Sequence, residues 1–291
     1  MKKSINIPVA SGKGGTGKTL VATNIFYSLY KNSFDVNLID CDAEAPNAIP
    51  FFQTINQKKQ EVFQDIPEVE INKCNFCNAC HEWCMYNAIF ILPQNKIIKI
   101  IDDLCHGCGA CFVSCKNEAL KRKQASLGFV SDFKIEENVF IVESKVNVGV
   151  MSPVKVIKAG IKHALNRSEI LLFDCPPGTS CSFIQTNLVA DFVILVTEPT
   201  PFGLSDLKQT VDTLKEMNKK YGVIINRSDI GICSSVENYL KEENIPLLMK
   251  IPFDDKIAFA YSQGLLFSKE MKEYQQKFIS LINKIINHYH A

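Results

Sequence analysis

Short apolar runs alternate with amphipathic stretches along most of this chain. Near the start, the pattern predicts a strand at 5–10, a helix at 18–32 and a second strand at 36–39. After residue 123, it predicts a hairpin or two edge strands at 129–133 and 139–142, strands at 170–173, 192–196, 223–225 and 247–251, and helices at 154–165, 183–189, 204–220, 236–243 and 269–287. Strands that alternate with helices in this way predict an α/β fold with a doubly wound, mostly parallel sheet.

The middle of the chain breaks this alternation. Residues 51–70 combine weak periodicity with mixed charge and are predicted to be a connector. Residues 71–123 contain a duplication, because the spacing C-x2-C-x2-C-x3-C occurs twice at an offset of 31 residues, with β-rich runs at 89–92 and 97–101. The predicted organisation is a first α/β part at 1–65, a small inserted α+β domain at 66–123 and a second α/β part at 124–291.

Composition and charge describe an ordinary globular protein. The hydrophobic fraction is 46%, and 32 basic residues balance 31 acidic ones, so the formal charge of +1 gives no reason to expect nucleic-acid binding. The apolar runs are much shorter than the roughly 20 residues of a membrane span. Residues 1–4 lead straight into the first strand, which predicts a cytoplasmic protein without a signal peptide. The apolar stripe of the last helix is expected to pack on the sheet rather than on a membrane.

The cysteines are unusually many and are concentrated in one region. Eight of the twelve lie between Cys74 and Cys115. In a reducing cytoplasm such a cluster predicts metal ligands rather than disulfides.

The chemistry of the first α/β part centres on the stretch G-K-G-G-T-G-K-T. It fits the phosphate-loop pattern G-x-x-x-x-G-K-[ST] and lies between a predicted strand and a predicted helix, as that pattern requires. Backbone N–H groups and the helix N-terminus would bind phosphate oxygens, Lys18 would reach the β- and γ-phosphates, and the Thr19 hydroxyl would hold Mg²⁺. The predicted ligands are ATP or ADP with Mg²⁺, bound by Gly12, Lys13, Gly14, Gly15, Thr16, Gly17, Lys18 and Thr19.

A second lysine inside this loop makes it resemble the deviant Walker A motif of the MinD/ParA superfamily of P-loop ATPases. In that family, the lysine at the position of Lys13 crosses to the phosphates of a partner subunit. The resemblance therefore implies a nucleotide-dependent dimer, formed either with a second copy or with a paralogue. Asp40 and Asp42 resemble the first switch of the family, with Asp42 positioning the attacking water and Asp40 on the metal side.

Further family features follow in the same order along the chain. Asp174 ends a buried apolar run and resembles the Walker B aspartate that holds a Mg²⁺-bound water, and Gly178 resembles the γ-phosphate sensor of the second switch. Asn226, Arg227 and Pro252 resemble the adenine-recognition residues. The resemblance implies that Lys13, Lys18, Asp42 and Asp174 are the catalytic residues.

The duplicated cysteine motif resembles the bacterial two-cluster ferredoxin. In that spacing, the fourth cysteine of each motif binds the other of two [4Fe–4S] clusters. The resemblance implies one cluster on Cys74, Cys77, Cys80 and Cys115, and a second on Cys105, Cys108, Cys111 and Cys84. Zinc is the alternative for C-x2-C pairs, although three cysteines at this spacing plus a fourth, repeated, favour cubane clusters. At the first-copy position that matches Gly109, Asn78 is expected to keep a left-handed backbone.

Three functions are compatible with these features. A nucleotide switch could gate electron transfer from the clusters to a partner protein, or help to mature the metal cluster of a client. The alternative is a MinD-like positioning or partitioning ATPase in which the ferredoxin domain senses redox state. Cys175 and Cys181 bracket the second switch, where a cluster bridging two subunits is a further option.

Overall fold

The computed structural model describes residues 4–290, and the predictions for residues 1–3 and 291 lie outside this range. Its strands are β1 (Ile5–Ala10), β2 (Val36–Asp40), β3 (Asn56–Val69), β4 (Ile89–Leu92), β5 (Ile97–Ile100), β6 (Leu120–Glu136), β7 (Val139–Val146), β8 (Ile170–Asp174), β9 (Val193–Thr197), β10 (Tyr221–Asn226) and β11 (Leu247–Ile251). Its α-helices are α1 (Lys18–Tyr30), α2 (Ala79–Glu82), α3 (Ala110–Ser114), α4 (Val154–Ala164), α5 (Cys181–Asn187), α6 (Pro201–Glu216), α7 (Cys233–Glu242), α8 (Asp255–Ser262), α9 (Phe267–Glu270) and α10 (Lys272–His290).

Nine of these strands form one sheet in the order β11-β10-β9-β1-β8-β2-β7-β6-β3. Every pair from β11 to β7 is parallel, and β6 and β3 continue the sheet with antiparallel pairing. The mostly parallel α/β sheet predicted from the alternation is confirmed. In this topology, the carboxyl ends of β1, β2 and β8 meet at one edge of the sheet, where open α/β sheets bind ligands.

Helices cover both faces of the parallel part, so its central strands are buried along their whole length. One core contains apolar residues of α1 and α10, including Phe26 and Phe278, and the other contains residues of α4 to α7, including Phe183 and Leu207. The apolar stripe of α10 packs in the first core through Phe278 and Ile282, both fully buried, in agreement with its predicted role. No helix in residues 4–290 combines the length and apolar character needed to cross a membrane.

The prediction of a connector at residues 51–70 is wrong. Most of this stretch is β3, which pairs antiparallel with β6 from Asn56 opposite Lys134 to Val69 opposite Leu120. The first residues of β3 are exposed and polar on both faces, so the alternation that normally reveals a strand is missing there. Pairing with residues 51 to 78 positions further along the chain, rather than local apolar patterning, makes this segment a strand.

The β3–β6 ribbon leads from the main sheet to a cysteine-rich insert, which we define as residues 70–119. The insert contains α2, α3 and the separate hairpin β4–β5, whose buried face packs against the cysteines through Ile89 and Ile98. The predicted domain boundaries at 65/66 and 123/124 fall within the paired strands of this ribbon. The ribbon therefore ties the insert to the sheet along two continuous strands rather than through loose linkers.

Candidate functional site

The phosphate loop lies between the carboxyl end of β1 and the start of α1. Gly17 precedes the helix in a left-handed conformation, with φ of 99°, and a Cβ there would lie 2.4 Å from Asn226 Nδ2. The Asn226 side chain donates a hydrogen bond to the Thr16 carbonyl oxygen at 2.8 Å. The loop and the end of β10 are therefore packed so closely that only glycine fits at position 17.

Two polar groups at this loop are buried, and within the described residues one of them, the Thr16 hydroxyl, has no hydrogen-bond partner. Thr16 is 2% exposed. The Lys18 side chain is also buried, at 7% exposure, beside the loop. A buried donor without a partner and a buried cation suit an anionic ligand, because such groups are costly unless something pairs with them.

Thr19 and Asp174 meet where α1 begins and β8 ends. The Thr19 hydroxyl donates to Asp174 Oδ2 at 2.5 Å, whereas the buried Oδ1 has no hydrogen-bond partner in the described chain. A hydroxyl beside a carboxylate with an unused oxygen suits a hydrated Mg²⁺, which prefers oxygen ligands and keeps several waters. These two residues would hold the ion, and the ion would supply positive charge at the phosphates.

Burial shifts the acidity of the carboxyls at this edge. The pKa of Asp174 is raised to about 7, mainly by burial, while the hydrogen bond from Thr19 and the charge of Lys18 oppose that rise. Burial also raises the pKa of Asp42, against the charge of Lys18. The pKa of Asp40 is raised by burial and by the nearby Asp174. A cation bound among these groups would favour their ionised forms.

Asp40 and Asp42 occupy different environments although they lie only two residues apart. The fully buried Asp40 carboxylate accepts backbone N–H bonds from Asp42, Asn47 and Ala48 at 2.9 to 3.0 Å. The Asp42 side chain instead lines an open cavity together with Lys18. Asp40 therefore fixes the shape of the loop after β2, and Asp42 is the carboxylate placed to contact a ligand.

Many of the predicted nucleotide residues line one cavity of about 350 Å³, namely Gly14, Gly15, Gly17, Lys18, Thr19, Asp42, Asn226, Arg227 and Pro252. The other predicted residues do not line it, namely Gly12, Lys13, Thr16, Asp40, Asp174 and Gly178. The sequence interpretation missed the wall formed by Phe253 and by Ile257 and Tyr261 of α8. The aromatic residue next to Pro252 was the available signal, but the approach of α8 depends on the tertiary structure.

Lys13 and Gly178 lie near each other at the phosphate loop. The Gly178 N–H donates to the Ser11 carbonyl at 3.0 Å, and the Ser11 hydroxyl donates to the Lys13 carbonyl at 2.6 Å. A phosphate-sensing role for the Gly178 amide would therefore require its bond to Ser11 to be exchanged for one to the ligand. The half-buried Lys13 side chain makes no ion pair within the described residues.

The eight cysteines of the insert are divided between two cavities. One is lined by Cys74, Cys77, Cys80 and Cys115, and the other by Cys84, Cys105, Cys108 and Cys111. Each set combines three cysteines of one motif with the fourth cysteine of the other, which is the grouping expected from the ferredoxin resemblance. The first cavity measures about 290 Å³ and the second about 20 Å³, and a neighbouring cavity of about 240 Å³ is also lined by Cys105 and Cys108.

The backbone around the two cavities repeats with the offset of the sequence motif. N–H groups donate to sulfur at 3.3 to 3.4 Å in matching pairs, from Phe76 to Cys74 and from Gly107 to Cys105, and likewise from Ala88 to Cys84 and from Ala119 to Cys115. The residue before each short helix is left-handed, with φ of 67° at Asn78 and 83° at Gly109. The prediction for the Asn78 backbone is therefore confirmed.

The donor set suits iron–sulfur clusters better than single ions. Within residues 4–290, no three His, Cys, Asp or Glu side chains are grouped closely enough to hold one metal ion, whereas a tetrahedral zinc site needs sulfurs about 3.8 Å apart. Each cavity is lined by four cysteines, and backbone N–H groups donate to sulfurs of both sets, which are features of cluster sites. Burial raises the pKa of Cys80, of Cys105 and, to about 11, of Cys111, so loading would release protons.

The remaining cysteines are separate from these cavities. Cys41 and Cys175 are fully buried behind the nucleotide site. Cys181 is exposed at the start of α5, and the half-buried Cys233 contacts Glu237. Of the two cysteines suggested for a bridging cluster, only Cys181 is accessible to a second subunit.

Comparison with known proteins identifies similar chains. The profile of the family described as CobQ/CobB/MinD/ParA nucleotide binding domain matches residues 7–267. An uncharacterized protein of Methanocaldococcus jannaschii is 32% identical over 273 residues, which cover 92% of this chain and 93% of the relative. An iron–sulfur cluster carrier protein of Pyrococcus horikoshii is 23% identical over 301 residues, which cover 98% of this chain and 87% of the relative.

Solved structures resemble the fold. The septum site-determining protein MinD of Pyrococcus horikoshii, in complex with Mg-ADP, superposes with a TM-score of 0.59 at 22% identity, covering 97% of this chain and 96% of that one. The cell division ATPase MinD of Pyrococcus furiosus superposes with a TM-score of 0.60 at 21% identity, covering 97% of this chain and 99% of that one. The overall fold is thus that of MinD-type P-loop ATPases.

Proposed function

Because the chain belongs to the CobQ/CobB/MinD/ParA family of nucleotide-binding domains, we propose that it is an ATP-hydrolysing switch that holds two [4Fe–4S] clusters. Its nucleotide state would control the delivery of electrons from these clusters to a partner protein. The observation that supports this function best is the presence, in one chain, of a phosphate-loop cavity and two four-cysteine cavities. The β3–β6 ribbon connects the two kinds of site.

ATP hydrolysis is assigned to residues at the edge of the parallel sheet. Lys18 stabilises negative charge on the phosphates, and Asp42, which lines the same cavity, orients the attacking water. Thr19 and Asp174 hold Mg²⁺. Asp40 lies on the metal side of the site and contributes by fixing the shape of the loop after β2 through its hydrogen bonds. Asn226, Arg227 and Pro252 surround the adenine.

Dimerisation is assigned to Lys13, with Gly178 sensing the γ-phosphate. The Lys13 ammonium group has no ion-pair partner within the described part of the chain and is available to the phosphates of a second subunit. Lys13→Ala is expected to bind ATP as a monomer and to lose ATP-dependent dimerisation and hydrolysis. Light scattering with and without ATP checks this, and nucleotide-dependent dimers of Lys13→Ala would refute the assignment.

Resident clusters that carry electrons are the first candidate, and the setting of the cysteines supports clusters that belong to the protein. Cys80 and Cys111 are buried within the insert, and the sulfurs of Cys74 and Cys105 accept backbone hydrogen bonds. Hydrogen bonds to the ligating atoms strengthen metal binding, which supports clusters that stay bound. Maturation of a client is the second candidate, because relatives at 23 to 26% identity are named iron–sulfur cluster carrier proteins.

One experiment separates the two candidates. The protein is reconstituted anaerobically with iron and sulfide, reduced, and mixed with methyl viologen or with an apo-ferredoxin acceptor, each with ADP and with ATP. Electron delivery predicts ATP-dependent viologen reduction with about eight irons retained per chain. Transfer of iron to the apo-acceptor would favour maturation. Failure to bind either clusters or ATP would overturn the proposed function.

A further inference from the structure

The two four-cysteine sites are connected to the rest of the protein in different ways. Every residue lining the first cavity comes from within 74–120. The second cavity also includes Asp65 and Pro67 of β3, and a further cavity of about 240 Å³ lies between its cysteine loop and the segment leading into α4. The second site therefore faces the α/β body, while the first is built from the insert and the end of the ribbon.

Lys155, in the first turn of α4, holds the loop of the second site. Its ammonium group donates to the His106 carbonyl at 2.8 Å and to Gln64 Oε1 at 3.0 Å. The Gln64 side chain in turn donates to the Cys105 carbonyl at 2.7 Å. A lysine of the α/β body and a glutamine of the ribbon thus bind two consecutive carbonyls of the Cys105–Cys108 loop.

The duplication shows why only one site has this contact. At Gly107 a Cβ would lie 2.6 Å from Lys155 Nζ and 2.9 Å from the Asp65 carbonyl oxygen. The matching residue of the first motif is Phe76, which has the same left-handed backbone, with φ of 56° against 59°. The backbone geometry is conserved between the copies, but the missing side chain at Gly107 leaves room for the lysine.

The segment that carries Lys155 begins at the nucleotide site. The Val146 N–H, at the end of β7, donates to the carbonyl of Ala43, which lies in the loop after Asp40 and Asp42. The Asn147 side chain then donates to the Ser126 hydroxyl at 3.0 Å in the ribbon. From Val146 the chain reaches Lys155 in nine residues, so a change in the loop at Ala43 has a short covalent path to the second site.

From this geometry we infer that the site formed by Cys84, Cys105, Cys108 and Cys111 is the nucleotide-linked cluster site, and that Lys155 is the positioning residue that links it. Lys155 holds the loop against the α/β body and places a positive charge near that cluster. The nucleotide alters this hold through Ala43 and Val146. This inference rests on the proposed function and specifies its regulation.

The positive charge of Lys155 determines in which direction the reduction potential of the nearby cluster shifts. A nearby positive charge stabilises the reduced, more negative form of a cluster and raises its potential. Lys155→Met should therefore make one of the two potentials more negative and leave the other unchanged. Lys158 lies one turn further along the same helix, exposed and without a contact to the cysteine loop within the described residues, so Lys158→Met is the matched control.

The test uses anaerobically loaded full-length protein. Redox titrations followed by electron paramagnetic resonance compare wild type, Lys155→Met, Lys155→Arg and Lys158→Met, each with ADP and with a non-hydrolysable ATP analogue. In wild type and Lys158→Met, one potential should differ between the two nucleotides. Lys155→Met should lose that difference, and Lys155→Arg, which keeps the charge, should restore the wild-type potential with ADP.

Hydrogen exchange identifies which site responds. Peptides covering 103–109 should exchange differently with the two nucleotides in wild type but not in Lys155→Met, and the matching peptides covering 72–78 should not respond. Equal responses of both peptides, or a nucleotide response that survives in Lys155→Met, would overturn the inference while leaving the proposed function intact. Absence of clusters or of ATP binding in wild type would overturn both.

Discussion

Thr19 Oγ1 and Asp174 Oδ2 are joined by a 2.5 Å hydrogen bond, although the two residues are 155 positions apart in the chain. The contact connects the first residues of α1 to the last residue of β8. It is possible because β1 and β8 are neighbouring parallel strands whose carboxyl ends coincide. The pair thus lies beside the phosphate loop, where we propose that Mg²⁺ binds together with the nucleotide.

Removing the hydroxyl of this pair should weaken Mg²⁺-dependent nucleotide binding. A charge-assisted contact contributes about 1.5–3 kcal/mol, so Thr19→Ala should lose at least about tenfold in affinity for Mg-ATP. Thr19→Ser keeps the hydroxyl and should bind nearly as well as wild type. Isothermal titration calorimetry with and without Mg²⁺ measures the difference, and equal affinities of the two variants would rule out this role for Thr19.

Mg-nucleotide binding should strengthen as pH rises toward 7. The pKa of Asp174 in the folded, ligand-free protein is about 7, against 3.8 for a free side chain. Between these values the folded state retains a proton that the unfolded state releases, so Asp174 reduces folding stability as pH rises from about 4 to 7. Since the ion needs the carboxylate, binding expels this proton.

Calorimetry in buffers of different ionisation enthalpy would detect that proton. Affinity should fall by up to about tenfold per pH unit below 7, with proton release close to one at pH 6. Asp174→Asn should bind Mg-ATP weakly at every pH and release about one proton fewer than wild type at pH 6. Identical proton release by wild type and Asp174→Asn would show that another group titrates.

Two glycines of the phosphate loop should differ in their tolerance of a side chain. Gly17→Ala places a Cβ 2.4 Å from Asn226 Nδ2 at a φ of 99°, whereas a Cβ at Gly14 meets nothing within 4 Å. Left-handed strain costs about 1–3 kcal/mol, so Gly17→Ala should lower the free energy of unfolding by at least that amount and abolish ATP binding. Gly14→Ala should change stability by less than about 0.5 kcal/mol. Urea denaturation compares them.

Replacing the fourth cysteine of one motif should remove the cluster held mainly by the other motif. Because Cys115 lines the cavity of the first motif, Cys115→Ser should impair the site formed with Cys74, Cys77 and Cys80. Cys84→Ser should impair the other site. Iron analysis should give about four irons per chain for each variant and about eight for Cys233→Ser, which lies outside both cavities. Loss of the site in the same motif as the substitution would contradict the cross-motif grouping.

Removing the metal should loosen the insert and leave the main sheet intact. The fully apolar core of the insert is small, with Cys80, Ile89 and Cys111 as its buried members, and small units of this kind depend on metal for stability. After chelation under reducing conditions, limited proteolysis should cut within 70–119 while the thermal transition of the α/β body changes little. Equal protection of the insert before and after chelation would indicate that it folds without metal.

The sequence was sufficient for features encoded by neighbouring residues. Continuous apolar runs predicted the strands of the parallel sheet, and the motif G-x-x-x-x-G-K-[ST] identified a loop that the structure places between β1 and α1. The ferredoxin spacing predicted which cysteines share a cavity. Such patterns are readable because strand periodicity and tight turns depend on residues close together in the chain.

Only the tertiary structure decided how these parts are connected. Residues 56–61 form a strand because β6 pairs with them, and the exposed, polar sequence there carries no apolar period. The difference between the two cysteine sites arises because Lys155 enters the space above Gly107, although the residues are 48 positions apart. Contacts of this kind depend on which surfaces the folded sheet brings together. Local sequence therefore determined the two kinds of candidate site, and long-range packing decided which four-cysteine site contacts the α/β body.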